Sequence, residues 1–456
     1  MRRPGRHVAG RGLHVQVVRV VWLARGLACA TAVLALAAPA VRVDAQEADP
    51  LPAKKDTTLK FPNTIAGEFT PGAGFDIVKT RMGSLNISGY GLFRYISQTP
   101  ASQTYVDHLG RVLDVNPRND VNWHRTMIWL TGFFYDPRFR YNITLWSLPT
   151  TQQTLLFGNL QFRAADAFTV GVGIVPSLTA RSLQGSWPYW AASDRQMSEE
   201  FFRGGFSSGI FATGEVLPRF FYTVSITNNI SQLGVTQAND TRDMMYSGSL
   251  RWQPTTGEFG PRNGFGDFEN HKSVATQFGV SGGISRESRY APLGQPPNAT
   301  QIKLSDGLNP FTEGSLADSV TVKSLRYREA AIDAGVKYRG FSFQSEYYFR
   351  TLDHFVATGP VPLSSIFDHG FMAEAMHMVL PKKLGVYAAG GYIWDDFERR
   401  PWEAGGGINF YPSGTRSWRL NLHLLHINRS PVASFFSYYQ PGQTGTIFSL
   451  GTDFLI

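Results

Sequence analysis

The 456-residue sequence contains a single cysteine, Cys29, which lies within the first 45 residues. A chain with one cysteine forms no internal disulfide bond. After residue 45 there is no run of about 18 apolar residues, the length that a membrane-spanning helix needs. The sequence also lacks zinc, P-loop and dinucleotide-binding fingerprints. These absences exclude a disulfide scaffold, a helical membrane protein and the common nucleotide-dependent enzymes.

Evidence for catalysis is equally sparse. Residues 205–209 and 279–283 match the G-x-S-x-G pattern, but that motif exposes its serine only at a turn between a strand and a helix. Both segments lie on or next to predicted strands. His423 and His426 would point to opposite faces of a strand, so they cannot bind one metal ion together. We therefore predict no enzyme, no catalytic residues, no metal site and no cofactor.

The N-terminus has the layout of a secretory signal peptide. The first 25 residues hold six arginines, and an apolar run follows from Leu27 to Ala38. Val43 to Ala45 form a small-residue cleavage site before Gln46. The apolar run is too short for a membrane span. We predict a signal peptide over residues 1–45, and Cys29 leaves with it.

The basic character of the chain resides mainly in this leader. The sequence has 43 Lys and Arg against 35 Asp and Glu, a formal charge of +8. Residues 1–45 hold seven Arg and one Asp, so residues 46–456 carry 36 basic and 34 acidic side chains. A near-neutral mature chain does not favour nucleic acid as a partner.

The rest of the chain alternates between apolar and polar residues. Residues 46–80 are rich in Pro, Lys and small polar residues, and we predict a periplasmic lead-in segment with little regular structure. Over residues 81–456 the period is two, which is typical of strands. The 16 predicted strands are 85–97, 124–135, 139–148, 155–164, 168–176, 207–217, 220–229, 244–253, 273–287, 326–339, 341–352, 370–380, 385–395, 402–411, 418–429 and 444–456.

The connections between these strands are unequal. Those after even-numbered strands are mostly tight turns, with 254–272 as an exception. Those after odd-numbered strands include the long segments 98–123, 177–206, 230–243, 288–325, 353–369 and 430–443. This asymmetry is typical of outer-membrane barrels. We predict an all-β fold, a 16-stranded antiparallel transmembrane β-barrel over 81–456, with short periplasmic turns and long extracellular loops.

In such a barrel the apolar faces contact outer-membrane lipid and the polar faces line the lumen. Aromatic residues crowd the ends of several strands, as expected at a membrane–water boundary. The basic residues predicted to line the lumen are Arg94, Arg140, Arg163, Arg251, Lys337, Arg350, Arg419 and His423. Arg419, Asn421, His423 and Arg429 would form a basic wall, or would instead pair with Glu403 or Asp453 on neighbouring strands.

The last eight residues, 449–456, alternate and end on an apolar residue. Their spacing of Gly451, Phe454 and Ile456 resembles the C-terminal signal by which outer-membrane barrels are recognised for insertion. We therefore expect the barrel-assembly machinery as a partner. The alternative is the closing strand of a soluble, secreted β-protein.

Several short motifs suggest a family. They are residues 69–75 (FTPGAGF), 83–87 (GSLNI), 94–95 (RY), 140–141 (RY), 168–173 (FTVGVG), 175–176 (VP), 202–203 (FR) and 228–229 (NN). Across the N-terminal half they resemble the phosphate-selective porin O/P type proteins. The resemblance implies a 16-stranded homotrimeric barrel that passes small hydrophilic solutes by diffusion. The family's dense lumenal rows of Arg and Lys are missing, so phosphate specificity is not carried over.

The third long connection, 177–206, is the predicted pore constriction, since in 16-stranded porins this loop folds into the lumen. A constriction needs bulk and fixed charge at the narrowest point. The residues predicted to supply them are Arg181, Trp187, Tyr189, Trp190, Asp194, Arg195, Glu199 and Arg203. The alternative is a surface loop at the rim or at a subunit contact.

Together these features predict a porin in the outer membrane of a Gram-negative-type bacterium, with a mild anion preference. A second interpretation is a structural, adhesive or enzymatic outer-membrane barrel with an occluded lumen, whose function lies in its long loops.

Overall fold

The structure is a computed structural model that describes residues 71–148, 153–184, 187–230, 243–259, 266–297, 300–432 and 437–456. The predicted signal peptide and the lead-in before residue 71 lie outside the described residues. Within the described ranges, no helix is long and apolar enough to cross a membrane.

Strands make up most of the described chain. In order they are β1 (Phe75–Lys79), β2 (Gly83–Pro100), β3 (Thr104–Val106), β4 (Val112–Asp114), β5 (Arg118–Phe134), β6 (Asp136–Leu148), β7 (Gln153–Ala165), β8 (Phe168–Pro176), β9 (Phe206–Leu217), β10 (Phe220–Asn228), β11 (Met244–Trp252), β12 (Ala275–Ser288), β13 (Val322–Tyr338), β14 (Phe341–Ala357), β15 (Ser365–Leu380), β16 (Leu384–Trp394), β17 (Trp402–Phe410), β18 (Trp418–Asn428) and β19 (Gly445–Leu455). A 3-10 turn (Arg181–Leu183) and one short helix, α1 (Met197–Phe202), lie between β8 and β9.

The strands β2 and β5 to β19 form a closed antiparallel barrel of 16 strands, which confirms the predicted fold. Each strand pairs with its neighbour in sequence. Closure comes from β19 and β2, whose register runs from Gly445 opposite Pro100 to Leu455 opposite Tyr90. The final backbone group continues this ladder, because the Ile456 N–H donates to the Gly89 carbonyl at 2.9 Å.

Two elements differ from the prediction. Strand β1 belongs to the predicted lead-in, yet it pairs with β2 from Phe75 opposite Ile87 to Lys79 opposite Ser84. It extends the ladder beyond the point where β19 ends. The first long connection also contains a small hairpin, β3 paired with β4. Both are too short to show a period that a sequence pattern can identify.

The barrel has a turn end and a loop end. At the turn end, β13 and β14 are joined by Arg339 and Gly340, both with positive φ (49° and 85°). This is the conformation of a two-residue hairpin whose twist matches that of the strands. At the loop end, several strands run further than predicted: β5 begins at Arg118 and β14 reaches Ala357. Residues 118–122 do not alternate clearly in polarity, so their sequence gave no strand signal there.

The outer face of the barrel is apolar and exposed, and the inner face is largely polar and buried. On β19, Leu450 is 51% exposed, whereas Ser449 is 0% and Asp453 is 4% exposed. The same alternation recurs around the barrel. The apolar side chains thus form a band that faces outward, as a lipid environment requires.

Candidate functional site

The connection between β8 and β9, residues 177–205, folds into the barrel and is called the lumen loop below. Its base is closed by the Ser177 N–H, which donates to the Gly205 carbonyl at 2.8 Å. Gly205 has a φ of 124°, a conformation that favours glycine. Residues 185 and 186 lie outside the described part of the loop. The described side chains of this loop are almost all buried.

The first arm of the lumen loop is bound to β11, β13 and β14. The Leu178 N–H donates to Ser247 Oγ on β11 at 3.0 Å. The Arg181 N–H donates to Glu346 Oε1 on β14 at 2.7 Å. The Arg181 guanidinium lies 3.7 Å from the Asp333 carboxylate on β13. Side chains of the wall therefore fix the backbone of this arm.

The second arm is bound to a different arc of the wall. The Trp190 carbonyl accepts a hydrogen bond of 2.5 Å from Arg419 on β18. The Ala191 carbonyl accepts one of 2.9 Å from Asn409 on β17. Counting around the 16 strands, β17 is three strands from β14, and β18 is seven strands from β11, almost the opposite wall. The lumen loop therefore crosses the lumen and is held on both sides.

Asp194 joins this second arm to two arginines of the wall. Its carboxylate accepts hydrogen bonds from Arg94 on β2 and from Arg125 Nη2 on β5, the latter at 2.6 Å. Arg94 and Asp194 are 1% and 3% exposed. A buried carboxylate between two guanidinium groups is paired and hydrogen-bonded, the condition for burying charge.

Arg125 was not among the residues predicted to line the lumen. The register between β2 and β5 shifts after Leu92, which leaves an extra residue, His124, on β5. His124 and Arg125 are both buried. A bulge turns two successive side chains to one face, so strict alternation could not place both residues in the lumen.

Helix α1 completes the contacts with the wall. Gln196 and Glu199 form a capping box at its start. At its end the Phe201 carbonyl accepts a hydrogen bond of 3.1 Å from Arg350 on β14, and Arg350 also pairs with Asp368 on β15 at 2.7 Å. Burial raises the pKa of Glu199, although Arg195 acts to lower it.

The other two predicted arginines of the lumen loop, Arg195 and Arg203, both pair with Glu200. Arg195 lies 3.6 Å and Arg203 lies 3.3 Å from the Glu200 carboxylate. The Arg195 guanidinium also lies 4.5 Å from the centre of the Trp190 ring. Glu200 was not among the predicted site residues, although it holds both arginines.

Aromatic rings supply the bulk of the lumen loop. Trp187 is 1% exposed, and its ring centre lies 4.4 Å from that of Tyr90 and 6.2 Å from that of Trp129. Tyr189 contacts Arg416, whose guanidinium lies 5.3 Å from its ring centre. The structure thus packs the predicted aromatic residues against the wall inside the barrel, not at its rim.

A second segment enters the barrel from the turn end. It is the long exceptional connection between β11 and β12, of which residues 253–259 and 266–274 are described. Lys337 donates to the Phe259 carbonyl at 2.7 Å, and its Nζ lies 4.6 Å from the centre of the Phe259 ring. Arg181 of the lumen loop lies 5.8 Å from the same ring. The two inserted segments therefore meet inside the barrel.

Three of the predicted lumen arginines line one cavity of about 290 Å³. They are Arg140, Arg163 and Arg251, on β6, β7 and β11. Arg251 lies over the Phe221 ring at 4.8 Å, and within the described residues its Nε has no hydrogen-bond partner. Polar side chains complete the lining; they include Gln161, Thr213, Thr223, Asp166 and Glu215.

The remaining predicted residues are distributed as follows. His423 is buried; its Nδ1 lies 2.8 Å from the Tyr387 hydroxyl, and its ring stacks on Tyr438. Arg429 is exposed near the loop end and does not join Arg419 and His423 in one wall. At the C-terminus, Phe454 stacks on Trp418 at 5.8 Å and faces outward, as does Ile456, while Gly451 is opposite Arg94 of β2.

No protein-family model matches the chain, and no curated protein matches it either. Among solved structures, it is similar to the outer-membrane expressed OmpT of Vibrio cholerae, with 11% identity and a TM-score of 0.52 over 83% of this chain and 99% of that one. It is also similar to the in-vitro folded trimer form of OmpT of Vibrio cholerae, with 9% identity and a TM-score of 0.51 over 82% of this chain and 99% of that one. An anion-selective porin from Comamonas acidovorans has 11% identity and a TM-score of 0.48 over 82% of this chain and 99% of that one.

At these identities the likenesses show the fold, which is that of 16-stranded outer-membrane barrels. They do not assign the chain to the phosphate-selective O/P type.

Proposed function

We propose that the protein is an outer-membrane porin through which small hydrophilic solutes diffuse, with the lumen loop as its constriction. The observation that carries this proposal is the anchoring of residues 177–205 to opposite arcs of a closed 16-stranded barrel. A loop fixed in this way sets the pore radius and the field at the narrowest point without any chemical step. The likeness in fold to the outer-membrane OmpT of Vibrio cholerae supports the outer-membrane location.

The distribution of charge favours a mild anion preference. Arg94, Arg350 and Arg419 are each paired with a buried carboxylate. The cavity lined by Arg140, Arg163 and Arg251 holds three guanidinium groups against two carboxylates, those of Asp166 and Glu215. Asp166 is engaged with Arg163. A surplus of positive charge in a narrow polar passage raises the local concentration of anions.

The finer relation to the phosphate-selective O/P type is supported by the N-terminal motifs alone. The pairing of Arg94, Arg350 and Arg419 with carboxylates argues against a row of free cations. We therefore propose general anion preference and do not extend phosphate specificity to this chain. A homotrimer is proposed on the same resemblance, and the trimer form of OmpT is consistent with it.

A second candidate function is a barrel with an occluded lumen, which acts through its loops. One observation favours it: Trp187, Met197 and Phe202 of the lumen loop are 1%, 0% and 0% exposed. A loop that lay along the edge of a wide pore would expose one face to water. The contact between Phe259 and Arg181 adds to this filling. The two candidates differ in whether solutes pass.

Liposome swelling distinguishes them. Proteoliposomes with the refolded protein should swell in isotonic solutions of small sugars, at rates that fall steeply with sugar size. Replacing residues 187–200 with a short Gly-Ser linker should raise both the rates and the size limit. If the native protein gives no swelling and the loop-replaced protein does, the occluded barrel is the correct function.

A further inference from the structure

Three arginines lie on the outward face of the barrel near its loop end. Arg286 on β12 is opposite Arg326 on β13, and Arg328 follows two residues later on the same face. The side chains of Arg326 and Arg328 are 35% and 46% exposed. We call these three residues the outer arginine cluster. Lipid-facing charge is unfavourable at the membrane midplane and tolerated near the interface, where polar headgroups lie.

The cluster is only partly neutralised within the described residues. Arg326 and Arg328 both donate to the Asp353 carboxylate, at 2.8 Å and 2.6 Å. Arg286 donates to Ser324 Oγ at 3.0 Å. Two of the three guanidinium groups therefore share one carboxylate, and the third bonds to a neutral hydroxyl. Asp353 orients two of the three, and the group as a whole retains an excess of positive charge.

An apolar groove of about 680 Å³ lies beside this cluster. Its lining includes Gly248 and Gly282, which are opposite each other on β11 and β12 and have no side chains to fill it. Tyr246 and Ile284 rise beside them and are 55% and 43% exposed. The groove runs from Val170 on β8 to Arg328 on β13, five strand spacings or about 24 Å.

We infer that this groove and the outer arginine cluster bind one phosphorylated, multi-acyl glycolipid of the outer leaflet, the chemistry of lipid A. The phosphates would lie on Arg286, Arg326 and Arg328, because guanidinium groups bind phosphate in two-pronged geometry. The acyl chains would lie across the recessed glycines. The groove spans about 24 Å across the strands, so several acyl chains of one lipid can lie across it side by side. This inference rests on the proposed outer-membrane location.

Native mass spectrometry of the refolded protein in detergent tests it with three probes: diphosphoryl hexa-acyl lipid A, the same lipid without phosphates, and phosphatidylglycerol. One diphosphoryl lipid A should bind, in clear preference to the other two lipids. The triple variant Arg286→Gln, Arg326→Gln, Arg328→Gln should weaken that binding about tenfold or more. A matched control, Arg138→Gln with Lys382→Gln and Lys383→Gln, removes three charges at the turn end and should leave binding unchanged.

A separate variant tests whether the acyl chains bind in the groove. A Cβ at Gly248 would lie 3.4 Å from Val224 Cγ1, an ordinary contact, so Gly248→Leu can fill the groove without breaking the sheet. It should weaken lipid A binding, whereas Gly91→Leu, at an outward glycine of β2 with nothing within 4 Å, should not. Heat-modifiable migration verifies that each variant is folded.

Equal binding of lipid A by the native protein and the triple variant would overturn the inference. So would a Gly248→Leu variant that changes the oligomeric state and not lipid binding, because the groove would then be a subunit contact. The result is independent of solute passage, since liposome swelling measures the channel separately from lipid binding.

Discussion

Arg419 and Asp453 form a buried ion pair that joins the last two strands of the barrel, with Nη2 2.5 Å and Nε 2.9 Å from the same carboxylate oxygen. The third nitrogen of Arg419 donates to the Trp190 carbonyl of the lumen loop. One guanidinium group therefore links barrel closure to the position of the loop. The C-terminal strand thus supports the position of the lumen loop as well as the seam.

Asp453→Asn should destabilise the barrel by about 3–5 kcal/mol, because it leaves Arg419 buried beside a neutral partner. Thermal or denaturant unfolding, followed by heat-modifiable migration, measures the change. Asp136→Asn is the matched control, since Asp136 pairs with Arg138 at the exposed turn end. Similar stabilities for the two variants would show that the pair at the seam contributes little.

Asp194→Asn should increase anion preference. It removes the carboxylate that Arg94 and Arg125 share, which leaves two cations beside the lumen loop. The reversal potential in a salt gradient should shift further toward the anion. The double variant Asp194→Asn with Arg125→Gln should reverse most of that shift. Asp136→Asn again serves as the control. An unchanged reversal potential would show that ions do not pass near Asp194.

Replacing a lumen arginine with glutamate should reduce the anion preference. Arg251→Glu or Arg163→Glu in the cavity, and Arg181→Glu, Arg195→Glu or Arg203→Glu in the lumen loop, should each move the reversal potential toward the cation. Arg138→Glu outside the lumen should not. If Arg251→Glu leaves selectivity as it was, the 290 Å³ cavity is not on the ion path.

The connection between β11 and β12, which enters the barrel from the turn end, should lose its contacts with the wall at high pH. Burial acts to lower the pKa of His271, but hydrogen bonds and charge from Asp267 and Glu258 outweigh it and raise the pKa to about 9. A raised pKa means that the stabilisation is fully present below the ordinary value of about 6.5 and is lost as pH rises through 9.

Limited proteolysis of residues 253–274 measures this loosening. Cleavage should increase between pH 7 and pH 10 in the native protein, and the increase should be smaller in His271→Gln. The variant His354→Gln, at a histidine whose side chain is 67% exposed, should behave like the native protein. A cleavage rate independent of pH would contradict the role of His271.

Removal of Phe454 to Ile456 should impair insertion far more than export. These residues supply the last outward-facing ring, that of Phe454, and the final backbone bonds to Gly89. Cell fractionation should find the truncated chain in the periplasm and not as a folded barrel. A truncated chain that reaches the outer membrane in heat-modifiable form would show that this stretch is not the assembly signal.

The period of two and the spacing of turns were enough to predict all 16 barrel strands, because every strand has an apolar outer face and a largely polar inner face. The strand Phe168–Pro176 was predicted to the residue. The alternation of polarity does not identify strand residues where neither face is buried, as in residues 118–122. It also fails at the bulge of His124 and Arg125.

The partners of the site residues could not be predicted. Alternation places Arg94, Arg350 and Arg419 in the lumen, but whether they are free or paired depends on contacts between distant strands and the loop. The pairing of Arg94 with Asp194 joins residues 100 positions apart. The cavity of Arg140, Arg163 and Arg251 likewise arises from β6, β7 and β11 together, which the sequence of one strand does not reveal.

Single-channel recording in a planar bilayer tests the central claim most directly. The folded, heat-modifiable protein should give discrete conductance steps, and replacing residues 187–200 with a Gly-Ser linker should enlarge each step. Absence of steps from the native protein across refolding conditions would contradict the account of the lumen loop as a constriction in an open channel.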